Sequence, residues 1–143
     1  MPWLLRRVNQ RYRDATAARM GAAGFGDLPQ RGYWALTALA GGAGDAGQLV
    51  SQMGVTKQAV SKLVDILVAS GYIDRATDPV DRRRTALHLT AKGAKAVAVI
   101  GQALRATEQE FATELGAASL EKLTQMLASL AGKGSDLSRD PTP

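Results

Sequence analysis

The chain has 143 residues, 45% of them hydrophobic and 22% charged, which places it among single globular domains able to build a core. A formal net charge of +5 permits a polyanionic partner without naming one. With no cysteine, a disulfide framework, a thiolate metal site and a thiol redox switch are all excluded.

Taken in chain order, residues 3–20 read as a helix, with Trp3, Leu4, Val8, Tyr12 and Ala15 near helical spacing and five arginines elsewhere. The opening Met1 to Arg7 lacks the apolar core of a signal peptide, and no run reaches the length of a membrane span. The expectation is a soluble, cytoplasmic protein. Gly21 to Asp27 reads as a linker, and Pro29 suits the first turn of a second helix that Gly41-Gly42 stops. Asp45 is placed to cap a short third helix through Met53. Gly54-Val55 turns the chain, and Thr56 caps a fourth helix ending near Ser70, with Gly71 just beyond. Tyr72 to Thr77 and Thr85 to Leu89 read as two strands, with Ile73, Leu87 and Leu89 inward, joined by a polar loop from Asp78 to Arg84. Thr90 then caps a long helix over 91–115 whose stripe is Val97, Ile100, Leu104, Phe111 and Leu115. Ser119 is expected to cap a last helix carrying Leu120, Leu123, Met126, Leu127 and Leu130. The tail 132–143 is expected to be flexible.

The fourth helix divides its wheel. Lys57, Gln58, Ser61 and Lys62 share one face, while Ala59, Val60, Leu63, Val64, Ile66 and Leu67 take the other. Most polar stripes are simply solvated. Here, however, a short helix and a glycine turn precede the stripe, which is the helix–turn–helix arrangement that enters a major groove N-terminus first. Lys57 and Lys62 can donate to guanine O6 and N7, and Gln58 can pair with adenine N6 and N7. Thr56 and Ser61 suit phosphates, beside the free N–H groups of the helix start. Asp65 fits this face poorly; it either accepts from a cytosine amine or lies too far along to feel the phosphates. In the loop, Asp81-Arg82-Arg83-Arg84 concentrates positive charge suited to a narrow minor groove, with Asp81 able to brace one guanidinium. The bland alternative for that loop is a solubilising turn.

Residues 28–95 resemble the winged helix–turn–helix of the MarR family of bacterial transcriptional regulators. The resemblance rests on Gly54 to Val64, on Gly71-Tyr72-Ile73, on Asp78-Pro79-Val80-Asp81-Arg82-Arg83, and on Leu89-Thr90 with Lys92-Gly93. It implies Arg83 as the minor-groove arginine with Asp81 as its partner. Arg84 departs from the family pattern and would add a phosphate contact. The implied fold is mainly α with a small β-hairpin wing, a winged helix–turn–helix over 28–90 plus a helical dimerisation region from 1–20 and 91–131. The implied protein is a homodimer joined through its first and last two helices, with Trp3, Leu4, Val8, Leu120, Leu123, Leu127 and Leu130 as contact residues. Five large apolar residues in the last helix, more than a lone terminal helix needs, point the same way, intramolecular packing being the alternative.

Three further signals are set aside. Gly42-Ala43-Gly44-Asp45-Ala46-Gly47 spells a dinucleotide fingerprint, but it follows a helical segment and lies in no βαβ unit. His88 is a lone histidine, so no metal is expected. Glu110 and Glu114 lie one turn apart without a base or nucleophile, so a solvated face and no enzyme activity are expected. The reading is a sequence-specific DNA-binding regulator, a repressor on a pseudo-palindromic operator; the alternative is a winged-helix module binding an acidic protein. No cofactor is expected, and the family resemblance implies a small aromatic effector. Tyr12, Phe25, Tyr33 and Trp34, with Trp3, are assigned to the core first and to an effector crevice second.

Overall fold

In the computed structural model, which describes residues 1–77, 80 and 85–131, the order is α1 (Pro2–Ala22), α2 (Gln30–Ala40), α3 (Ala46–Met53), α4 (Lys57–Ala69), β1 (Ile73–Thr77), β2 (Thr85–Leu89), α5 (Ala91–Leu115) and α6 (Ala117–Ala131). The described residues are mainly α with one antiparallel strand pair. The tail and residues 81–84 lie outside the described residues.

Three helix starts are set by side chains satisfying otherwise orphaned N–H groups. Asp45 Oδ1 accepts from the Gln48 N–H at 2.8 Å, Thr56 Oγ1 from Ala59 at 3.2 Å, and Thr90 Oγ1 from Gly93 at 3.1 Å. Each such cap contributes about 1 kcal/mol. Gly54 ends α3 at φ 62°, a left-handed conformation costly for any side chain, and so sets the tight turn into α4. Two boundaries differ from expectation. Gly21 does not stop α1, which runs on to Ala22, and α6 begins at Ala117, directly after the turn at Gly116. Ser119 is therefore inside α6 and caps nothing.

The core gathers Leu36, Leu49, Val60, Leu67, Tyr72 and Ile73 between α2, α3, α4 and the base of the ribbon, with Met20 from α1 and Ala96 and Ile100 from α5 closing it. Burying each large side chain contributes roughly 1.5–3 kcal/mol. The ribbon pairs Ile73 with Leu89, Arg75 with Leu87 and Thr77 with Thr85. Leu87 also donates its N–H to the Gly44 carbonyl at 2.9 Å, so the glycine-rich stretch before α3 lies along β2 as a loop. The buried residues of α5 are Gly93, Ala96, Ile100, Ala103, Thr107 and Phe111. Of the expected stripe, Val97 and Leu104 are half-buried and Leu115 is exposed. Ile100 and Phe111 are buried as expected, and the small residues Ala96 and Ala103 share the buried face with them. Thr107 satisfies its buried hydroxyl by donating to Ala103 O at 3.0 Å.

The α1–α5 contact explains the two glutamates. Arg11 forms two hydrogen bonds to Glu114, at 3.0 and 2.6 Å, and lies 4.5 Å over the Phe111 ring. Tyr12 meets Phe111 edge-on at 5.2 Å, and Arg19 pairs with Glu110 at 3.6 Å. Glu110 and Glu114 thus bind α1, where a merely solvated face was expected. Elsewhere on the surface, Trp3, Leu4, Leu5 and Val8 of α1 are exposed, as are Leu123, Met126, Leu127 and Leu130 of α6. Leu120 is half-buried, and α6 buries no residue fully.

Candidate nucleic-acid interface and adjoining cavity

Because α4 packs Val60, Leu63, Val64 and Leu67 inward, its outward face is obliged to carry Lys57, Gln58, Ser61 and Lys62, all exposed beside Thr56 at the helix start. Lys57 and Ser61 form one column a turn apart, and Gln58 and Lys62 the next. The helix start adds backbone N–H groups and the positive end of the helix dipole, both suited to phosphate. Ile66, expected on the buried half, is 48% exposed, since it stands one turn beyond Lys62 at the rim of the outward face. Asp65 is the acidic residue of this surface, and its Oδ1 accepts from Arg75 Nη2 on β1. That partner accounts for the residue that fitted the sequence pattern poorly. Asp81, Arg82, Arg83 and Arg84 lie outside the described residues, so the structure gives no geometry for the four loop positions.

Where the ribbon meets α5, a dense junction forms. Thr90 Oγ1 donates to the Gly71 carbonyl at 2.6 Å, and the Thr90 N–H to the Tyr72 carbonyl at 3.0 Å. Gly93 lies so close that a Cβ there would stand 2.1 Å from the Tyr72 carbonyl oxygen. The Lys92 ammonium sits 4.2 Å over the buried Tyr72 ring and donates to Ser70 O at 2.8 Å and to Asp27 Oδ2 at 3.4 Å. Tyr72 donates its hydroxyl to Asp27 Oδ1 at 2.5 Å. That hydrogen bond, followed by Lys92, holds the Asp27 carboxyl below its usual range, while burial and the same carboxylate push the Tyr72 phenol up. Lys92 is therefore a structural cation, although by charge alone it belongs to the basic zone of the sequence. Asp27 and Arg75 were not singled out by the sequence. Their partners lie 45 and 10 residues away, beyond any local pattern.

A cavity of about 440 Å³ opens between α1, α2 and α5. Its lining includes Tyr12, Tyr33 and Trp34, with Arg13, Thr16, Thr37, Leu104, Arg105 and Glu108. Phe25 is not in it; its ring packs 6.2 Å from that of Tyr72, in the core. Trp3 is neither core nor cavity but exposed. Burial raises the phenol pKa values of Tyr12 and Tyr33, with Glu108 adding to the shift at Tyr12. The charged part of this lining went unread in the sequence because Arg13, Arg105 and Glu108 come from two helices that meet only in the fold.

Residues 27–84 match the MarR family. A putative transcriptional regulatory protein for the hcr operon of Thauera aromatica is 36% identical over 88 residues; the match covers 62% of this chain and only 53% of that relative, about half its length. A probable transcriptional regulator from Pseudomonas aeruginosa is 27% identical, with a TM-score of 0.71 over 91% of this chain and 96% of its own. MarR from E. coli in its reduced form superposes at a TM-score of 0.78 with 22% identity, covering 92% of this chain and 96% of that one. A mutant of that protein complexed with operator DNA superposes at 0.73 with 20% identity, over 92% and 93% of the two chains.

Proposed function

We propose, from the MarR-family domain that this chain carries at residues 27–84, that it is a transcriptional regulator binding duplex DNA as a homodimer. The observation that carries the reading is the outward face of α4, where Thr56, Lys57, Gln58, Ser61 and Lys62 are exposed above a fully apolar inner face. The two faces divide the work. Burial of the inner one holds the helix backbone in place, so only the outer side chains have to be ordered when they meet base edges. The operator complex of the E. coli relative supports DNA as the ligand. In this reading α4 lies in the major groove, and the loop Asp81 to Arg84 reaches the minor groove beside it with Arg83 leading.

The dimer would form through the exposed apolar residues of α1 and α6, including Trp3, Leu4, Val8, Leu123, Leu127 and Leu130, with Leu120 beside them. Two-fold symmetry would then place two α4 helices one helical turn apart on a pseudo-palindromic operator. We read the protein as a repressor, because a dimer seated on a promoter obstructs it. The cavity lined by Tyr12, Tyr33 and Trp34 is the proposed effector site, taking a small aromatic compound whose binding releases DNA. The test is selection of bound fragments from random duplex, followed by anisotropy titration at several salt concentrations. A selected duplex should outbind random sequence about a thousandfold or more, and both should weaken steeply with salt. Equal affinity for every duplex, or binding only to acidic protein, would defeat the proposal.

A further inference from the structure

A carboxylate on a face that meets phosphates weakens binding unless something offsets it, and Asp65 stands on that face two turns beyond Lys57. Its partner Arg75 lies on β1 and shares a strand face with buried Ile73, the side turned to α4. Opposite Arg75 across the ribbon is Leu87, which is buried. Beyond that pair, Ala76, Thr77 and Thr85 are exposed and Ala86 is only half-buried. The Asp65–Arg75 contact thus ties the reading helix directly to the ribbon. Both side chains are substantially exposed, 61% and 43%, so the pair contributes at most about 1 kcal/mol to stability. A role in holding the fold together therefore does not explain it.

We infer that Asp65 and Arg75 are positioning residues for DNA recognition: their ion pair sets the angle of the wing against α4 and at the same time masks the Asp65 charge from the phosphates. The inference rests on the DNA-reading function proposed above. Two simpler roles are distinguishable from it. If Asp65 were only a repelling charge, Asp65→Asn would tighten binding to every duplex alike. If Arg75 were only a phosphate contact, Arg75→Gln would weaken binding to every duplex alike and lower the salt slope by about one.

Positioning makes a different demand, because it acts on selectivity. The experiment measures anisotropy on the selected operator and on a random duplex for the parent, Asp65→Asn, Arg75→Gln and the double variant, with a thermal melt of each. Each single variant should lose up to about fivefold in the ratio of operator to random affinity, because a pair worth no more than about 1 kcal/mol can bias the wing by no more than that. Melting should stay close to the parent's, and the double variant should lose no more than either single one, because both remove the same link. An unchanged ratio in both singles, additive losses in the double variant, or a collapsed melt would overturn the inference. Should the parent fail to prefer any duplex, the DNA-reading function itself falls, and the variants are not needed to see it.

Discussion

Single residues decide how the ribbon joins α5. Gly93 has no room for a side chain, since a Cβ would meet the Tyr72 carbonyl oxygen at 2.1 Å and backbone cannot swing aside as a flexible side chain can. Gly93→Ala should cost about 3 kcal/mol or more, read as a lowered denaturant midpoint with an unchanged slope. Asp27 makes a pH-dependent contribution at the same junction. Its folded pKa lies below the unfolded one, so the stability it adds is whole above the unfolded value, near 4, and lost as pH falls through the lower folded value. Parent and Asp27→Asn should therefore converge in stability as the solution is acidified below about pH 4, and differ at neutral pH. Arg83 carries the prediction for the wing. Arg83→Ala should weaken operator binding by about 1–3 kcal/mol in a titration at fixed salt, and an unaffected titration would remove this arginine from the groove.

At the scale of elements, the helices were legible where a polar side chain had a local duty. Asp45, Thr56 and Thr90 each cap the helix that follows, and each could be read from its position before an apolar run. The two strands were legible from Ile73, Leu87 and Leu89 and from Gly71 just past the end of α4. What escaped the sequence were decisions taken between elements. Of the large residues expected on the buried stripe of α5, Ile100 and Phe111 are buried, whereas Ala96 and Ala103 take the places that Val97 and Leu104 were expected to hold. Ser119 resembled a cap, but α6 starts at Ala117 directly after the turn at Gly116, which leaves Ser119 inside its first turn. On α4 the donor face was legible from helical period alone, whereas the link from Asp65 to Arg75 required knowing which strand returns over the helix.

For the whole molecule, the cavity lies between the pair α1 and α5 on one side and α2 of the winged unit on the other. An occupant there would bear on both at once, and release of DNA requires that it favour one relative arrangement over the other. Trp34 is a built-in reporter, being 67% exposed on the cavity lining. An aromatic compound that releases operator should also change Trp34 emission over the same concentration range. Release without any change in that emission in a Trp3→Phe background would put the effector elsewhere.

The outermost helix has a consequence for how the protein melts. A 15-residue helix is marginal in water by itself, and α6 covers none of its own residues completely. In the homodimer proposed above, a second protomer would exclude water from what Leu123, Leu127 and Leu130 still expose. Folding of the C-terminal part and self-association should then be one equilibrium, governed by mass action. The midpoint of thermal unfolding should climb as the protein is concentrated, and Leu127→Asp should flatten that dependence while leaving the spectrum of the remaining helices in place.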